Sequence, residues 1–189
     1  MEDIKGLDEV EVNYIHLYSE IDSINKEVIE LGPNLTNQKN TICRFITTLI
    51  EVDTTIINND KNGIRIKSAQ SICNTIKNIT YEEEVYAFQF VVEYLNKYCN
   101  ATEWVGIKKP PTESNVKYWL DDTIESELFS QFRDINLLNE DNSLMRKVSI
   151  LLLFANYLSM DGLVNKCCYL IAYAISGKTP DQIKKLMDF

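Results

Sequence analysis

The stretch AISGKTPDQI, residues 174–183, carries the signals that end one helix and begin the next. Gly177 follows an apolar segment with helical spacing, and glycine in this position ends a helix at little steric cost. Thr179 can cap the following helix, and Pro180 suits its first position because the missing N–H is not needed there. Gln182 completes a capping box with Thr179. This part of the chain is therefore predicted to be a corner between two packed helices.

The same stretch contains Gly-Lys-Thr, the end of a phosphate-binding loop. Such a loop has an earlier glycine where this chain has Ala172, and it follows a strand rather than a helix. Here the preceding segment, 163–175, has the apolar spacing of a helix. The corner interpretation accounts for each residue, so the sequence disfavours a nucleotide site.

Residues 141–189 are predicted to form a helical subdomain. Asn142 or Ser143 is the expected cap of a first helix, and a break at SMDG (159–162) separates it from the second. The apolar positions of the first helix recur at helical spacing: Leu144, Val148, Leu151, Leu152, Ala155 and Leu158. The segment 160–175 is apolar around much of its circumference, and little chain remains to cover it. We therefore expect it to offer an apolar surface to a helical partner.

Residues 1–140 contain both strand and helix patterns. Short strands are predicted at 10–18, 26–31 and 63–67, with Ile15 and Leu17 on the face of the first strand opposite His16. The strongest helix runs from 81 to about 98, apolar on most sides and hence largely buried. A loop is predicted near 104–115, and 116–140 is ambiguous. The expected fold class is α/β of the α+β kind, with a small mixed sheet packed by helices.

Composition excludes several function classes. The 189 residues carry a net charge of −9, which disfavours nucleic acid as a partner because phosphate contact needs clustered Lys and Arg. No apolar run approaches the ~20 residues of a membrane span. The acidic start is unlike a signal peptide, and the 5 cysteines suggest free thiols in a reducing compartment, the cytoplasm or nucleus.

The residues with reactive side chains have structural interpretations. Cys167 and Cys168 are adjacent and lack the spacing of a zinc site. His16 is the single histidine, and no local signature makes it a catalytic base. Three glutamates at 82–84 suit the positive end of a helix dipole better than a metal cluster. We expect no enzyme activity, metal or cofactor.

Residues 151–189 resemble the C-terminal part of the Skp1 family, the adaptors between F-box proteins and cullins in ubiquitin ligases. Three separated motifs carry the resemblance: ANYL at 155–158, DGL at 161–163 and GKTPDQI at 177–183. The resemblance implies a BTB/POZ-like core over 1–140, with an insertion near 120–140, and a Skp1-like helical subdomain over 141–189.

The resemblance also implies partners and contact residues. Asn156 and Tyr157 correspond to the family's cullin surface. The F-box surface corresponds to residues on both sides of the GKTP corner: Met160, Leu163, Val164, Cys167, Ile183, Leu186 and Met187. The expected function is an adaptor that links an F-box protein to a cullin. The alternative is a one-sided decoy that binds one of these partners, and a homodimer in the absence of a partner is left open.

Three departures from the family pattern bear on this function. The family continues into a further helix whose tryptophan clamps the F-box, whereas this chain ends at Phe189. Phe154 stands where the family has a small residue, which we expect to change the local packing. Residues 120–140 are longer than the family pattern.

Overall fold

The computed structural model describes residues 13–20, 26–31, 44–98 and 142–187, with only the backbone described for 26–30 and 98. In chain order the regular elements are β1 (Tyr14–Ser19), β2 (Lys26–Glu30), α1 (Arg44–Val52), β3 (Ile64–Ile66), α2 (Ala69–Ile72), α3 (Tyr81–Tyr98), α4 (Asn142–Tyr157), α5 (Asp161–Ile175) and α6 (Pro180–Leu186). The fold is therefore α+β. The predicted loop near 104–115 and insertion near 120–140 lie outside the described residues.

The sheet has three strands in the order β2-β1-β3. β1 pairs antiparallel with β2 and parallel with β3, where Leu17 lies opposite Ile64. Ile15 and Leu17 are fully buried on one face, and His16 is also buried on the other. This burial on both faces is consistent with the central position of β1 in the sheet. The prediction of a small mixed sheet is confirmed.

Gly63 is required where β3 begins against β1. An added Cβ would lie 2.6 Å from the His16 carbonyl oxygen, and closer still to the Tyr18 ring. The ring can turn away, but the carbonyl belongs to the backbone of the central strand. We expect Gly63→Ala to lower the free energy of unfolding by about 1–3 kcal/mol, measured by urea titration. Asn62→Ala, at the exposed neighbouring position, is the control, and equal stability of the two variants would contradict this account.

α4 lies between α3 and α5 and packs closely with both. The prediction that α3 is largely buried is confirmed: Phe88, Phe90, Val92, Tyr94 and Leu95 are buried, and Val85 and Tyr86 are half-buried. Asn142 and Ser143 lie inside the first turn of α4, so the prediction that one of them caps this helix is wrong. None of the described helices is long and apolar enough to cross a membrane.

Arg146 joins α4 to the start of α3. Its Nε donates to Glu83 Oε1 at 2.5 Å, and its Nη2 donates to the carbonyls of Lys77 and Asn78 at 2.7 and 2.8 Å. Glu83 also accepts from the Thr80 amide, while the Thr80 hydroxyl accepts from the Glu83 amide. Glu83 thus belongs to a capping box and to an ion pair at once. The sequence showed its position at the helix start but not its partner.

Two carboxylates hold the start of α2. Glu20 accepts from the Ser68 amide at 2.8 Å, and the buried Glu84 accepts from the Ala69 amide at 2.6 Å. Burial raises the pKa of the Glu84 carboxyl and the Glu20 charge adds to this, against the lowering effect of the Ala69 hydrogen bond. The folded state therefore holds the Glu84 proton more tightly than the unfolded chain does.

This pKa shift predicts a pH dependence of stability. The contribution of Glu84 is present below its unfolded pKa and is lost as pH rises through the higher folded pKa. Gln imitates the protonated carboxyl, so Glu84→Gln should become more stable relative to the parent chain as pH rises from 4 to 7. Urea unfolding at several pH values measures this difference. Glu82→Gln, in the same turn but exposed, is the matched control. If the stability of Glu84→Gln relative to the parent chain falls with rising pH, the raised pKa of Glu84 is contradicted.

The corner between α5 and α6 is as predicted. Gly177 has a φ of 73°, the left-handed conformation that glycine adopts without strain. Thr179 caps α6, its hydroxyl accepts from the Gln182 amide, and the Gln182 side chain accepts from the Thr179 amide. Gly-Lys-Thr therefore serves as a helix boundary.

A candidate protein-binding surface at the end of α4

The turn between α4 and α5 is closed by backbone hydrogen bonds. The Ser159 amide donates to the Asn156 carbonyl at 3.0 Å, and the Met160 amide donates to the Ala155 carbonyl at 2.8 Å. Ser159 has a φ of 53°, which reverses the chain within this turn. Asn156 and Tyr157 are thereby presented side by side at the end of α4, Asn156 exposed and Tyr157 half-buried.

The start of α1 docks on this turn. The amides of Arg44 and Phe45 donate to the carbonyls of Ser159 and Leu158 at 3.4 and 3.3 Å. The first amides of a helix have no partner inside it, and the last carbonyls of another helix have none either, so each end satisfies the other. The helix dipoles also meet with opposite partial charges. This contact places α1 next to Asn156 and Tyr157.

Side chains reinforce the same junction. The Phe45 and Tyr157 rings lie 5.3 Å apart at an angle of 41°. Arg44 Nη2 lies 2.7 Å from Asp161 Oδ2, with both side chains more than half exposed. An exposed ion pair stabilises by only about 0–1 kcal/mol, so its main effect is to fix the charges at the rim. We call Phe45, Asn156 and Tyr157, with Arg44 and Asp161 at the edge, the corner surface. It lies at the turn between α4 and α5 and is distinct from the corner between α5 and α6.

An apolar stripe continues from the corner surface along α1. Phe45, Leu49 and Val52 follow helical spacing, so they share one side of the helix. Phe45 and Leu49 are half-buried, and Val52 is 80% exposed. Phe45 and Leu49 retain only part of their surface for a partner, whereas Val52 is almost fully available. The arrangement offers an aromatic centre, an apolar side and a polar rim, which are the usual parts of a protein interface.

The predicted F-box surface, in contrast, is largely buried. Met160, Leu163 and Cys167 are fully buried and Leu186 is 4% exposed, so none of the four can contact a partner in this conformation. Val164 and Ile183 are half-buried, and Met187 is 38% exposed.

The expectation that little of the chain covers α5 is wrong, because α4 packs along it. The buried residues of α5 include a series at helical spacing, Leu163, Cys167, Leu170 and Ala174, while those of α4 include Val148, Leu151 and Ala155. Sequence periodicity showed that α5 is apolar. It did not show that the preceding helix returns to cover it.

The buried Cys167 offers little chemistry. Burial raises the pKa of the Cys167 thiol far above its ordinary value, so this thiol stays protonated. Among the described residues, no three His, Cys, Asp or Glu side chains form a group that could hold a metal ion. The sequence missed one polar cluster: His16 Nε2 lies 3.0 Å from Asp60 Oδ1, which also accepts from the Tyr14 hydroxyl at 3.2 Å. Asp60 is distant in the chain from Tyr14 and His16, so no local pattern could have joined it to them.

No protein-family model matches this chain. No curated protein shows significant similarity to it either.

Proposed function

We propose that this protein is a Skp1-like adaptor with a BTB/POZ-like core, which binds a cullin through the corner surface and an F-box protein through α5 and α6. The observation that carries the proposal is the exposure of Asn156, with Tyr157 partly exposed, beside the apolar stripe of α1. By the resemblance to the Skp1 family, these two residues correspond to the cullin contact. The α+β fold with its small mixed sheet is compatible with a BTB/POZ-like core.

The mechanism is scaffolding. An adaptor performs no covalent step; it holds two partners at a fixed separation and so raises the effective concentration of one near the other. The junction between α1 and α4 supports this role because its backbone hydrogen bonds and ring contact hold the corner surface in one geometry. A rigid surface loses less conformational entropy on binding.

A one-sided module that binds the cullin alone is the second candidate. The burial of Met160, Leu163, Cys167 and Leu186 favours it, because the apolar residues expected to hold an F-box are covered in this conformation. Val164 and Ile183 remain half-exposed and Met187 is exposed, but they offer less apolar area.

Size-exclusion chromatography separates the two candidates. The purified chain is mixed with a cullin N-terminal domain, with an F-box segment, and with both. Co-elution of all three supports the adaptor, and co-elution with the cullin alone supports the one-sided module. Binding to neither contradicts both.

The cullin contact itself can be tested at Asn156. Asn156→Ala should weaken cullin binding by about 10-fold, as expected of a central interface residue, with no change in thermal stability because the side chain is exposed. Titration calorimetry or fluorescence anisotropy measures the affinity. Asn165→Ala, which removes the same side chain at an exposed position of α5, is the matched control. Equal affinities of the two variants would move the cullin contact away from the corner surface.

A further inference from the structure

A cavity of about 520 Å³ lies between β3 and the chain that follows α1. Its lining includes two cations, Lys61 and Arg65, one carboxylate, Asp53, and the side chains of Tyr18 and Ile56. Cavities of this volume are large enough for a small molecule. None of these residues belongs to the corner surface, so the adaptor role gives the cavity no task.

The charged groups of the cavity do not neutralise one another. Asp53 Oδ1 accepts from the Thr55 amide at 2.9 Å and from the Thr55 hydroxyl at 2.6 Å, whereas Oδ2 accepts no hydrogen bond from a described residue. The hydroxyl and amide bonds of Thr55 lower the pKa of the Asp53 carboxyl, so it is charged at neutral pH. Within the described part of the chain, Asp53, Lys61 and Arg65 form no ion pair with each other or with another residue. The cavity therefore holds opposite charges that remain apart.

Hydrogen bonds fix the turn that carries Lys61. Asn59 Oδ1 accepts from the Lys61 amide at 3.0 Å, and Asn59 Nδ2 donates to the Thr55 carbonyl at 3.0 Å. The next residue, Asp60, lies 3.0 Å from Nε2 of the buried His16. The turn is thus tied both to the segment that follows α1 and to the central strand. A cavity whose backbone is held in this way loses little conformational entropy when a ligand binds.

The two sides of the cavity differ in charge. Asp53 follows directly on α1, whose last carbonyls carry partial negative charge, so this side suits a cation. Arg65 lies in β3 opposite Tyr18, and Lys61 lies in the turn before β3, so that side suits an anion. The half-buried Tyr18 and the largely buried Ile56 add apolar surface.

We propose that this cavity binds a small zwitterion, an amino acid with an apolar side chain. Its carboxylate contacts Lys61 and Arg65, its ammonium group contacts Asp53, and its side chain packs against Tyr18 and Ile56. The charges on the two sides select this class of ligand, because a simple anion would meet Asp53 and a simple cation would meet two cations. The proposal goes beyond the adaptor role and does not depend on it.

Phenylalanine and two of its derivatives test the proposal on the full chain. Phenylalanine should shift the amide signals of Asn62, Gly63 and Arg65 in NMR spectra and reach saturation, with a Kd on the order of 1 mM. N-acetyl-phenylalanine lacks the ammonium charge and phenylalanine amide lacks the carboxylate, so each should bind about 10-fold more weakly. The absence of saturation with phenylalanine, or equal binding of either derivative, would overturn the proposal.

Three variants locate the contacts. Arg65→Gln should weaken phenylalanine binding about 10-fold, because it removes a charged donor to the carboxylate. Asp53→Asn should weaken phenylalanine binding about 5-fold but should not weaken the binding of N-acetyl-phenylalanine, which has no ammonium group. Asparagine also caps a helix, so this change preserves the local structure.

Lys67→Gln is the matched control, because it removes an exposed cation just beyond β3 that does not line the cavity. It should leave phenylalanine binding unchanged. An equal loss in Lys67→Gln and Arg65→Gln would show a response to net charge alone and would overturn the site. An equal effect of Asp53→Asn on phenylalanine and on its N-acetyl derivative would overturn the ammonium contact and with it the zwitterion.

Discussion

Phe154→Ala is expected to lower the free energy of unfolding by about 3–5 kcal/mol, the largest effect of any change considered for this protein. Phe154 is 1% exposed and is among the largest fully buried side chains. Its helix, α4, packs against α3 on one side and α5 on the other, so a truncated ring leaves a cavity between layers. The free energy of unfolding of a domain is only about 5–15 kcal/mol in total, so this single change removes a large share of the stability.

Urea unfolding followed by circular dichroism measures the Phe154 effect. Leu153→Ala, at the adjacent half-buried position, is the control and should lower the free energy of unfolding by clearly less. Phe154→Leu keeps most of the volume and should be intermediate, which retains a folded variant if the alanine form does not fold. A cost below ~1 kcal/mol for Phe154→Ala would mean that the site collapses without a cavity.

The position also bears on function. Phe154 lies one residue before the ANYL motif, and the Leu158 amide donates to its carbonyl at 2.9 Å. The sequence showed a large residue where the family has a small one, and the core of this protein contains the whole ring. The change in packing is therefore internal, and it leaves Asn156 exposed at the corner surface.

Arg146→Ala is expected to lower the free energy of unfolding by about 3 kcal/mol. Both Arg146 and Glu83 have side chains only 13–14% exposed, so loss of the guanidinium leaves a nearly buried carboxylate without this cation. It also removes the donor to the Lys77 and Asn78 carbonyls, which ties the segment before α3 to α4. The residual exposure places the cost at the lower end of the range for a buried pair.

Thermal and urea unfolding measure the Arg146 effect. Lys147→Ala is the matched control: Lys147 Nζ lies 5.1 Å from the centre of the Tyr86 ring, a contact of about 0.5–1 kcal/mol near the surface. In a double-mutant cycle with Glu83→Gln, the coupling energy should exceed ~1 kcal/mol. Additive effects would show that the two side chains act independently.

The burial of the predicted F-box residues changes the expected order of events in an adaptor. In this conformation the corner surface is available to a cullin, while the core beside α5 is covered. The proposed function then predicts that cullin binding needs no rearrangement and that F-box binding waits for a rearrangement that uncovers these residues. Association with the F-box segment should then be slower than with the cullin domain, because binding that requires a conformational change lowers the association rate.

The sequence by itself determined the local elements of this protein. The ends of α5 and α6 were predictable because Gly177, Thr179, Pro180 and Gln182 act on backbone groups only a few residues away. β1 and α3 were predictable for the related reason that a strand and a helix each repeat their apolar residues at a fixed spacing.

Only the tertiary structure decided which apolar faces are covered and which polar groups meet. Met160, Leu163 and Cys167 are as apolar as a binding surface should be, but α4 packs along α5. Arg146 with Glu83, and His16 with Asp60, join residues that are distant in the chain. Periodicity indicates that a face avoids water, yet it does not specify whether the same chain or a partner covers that face, because both remove the same surface from water.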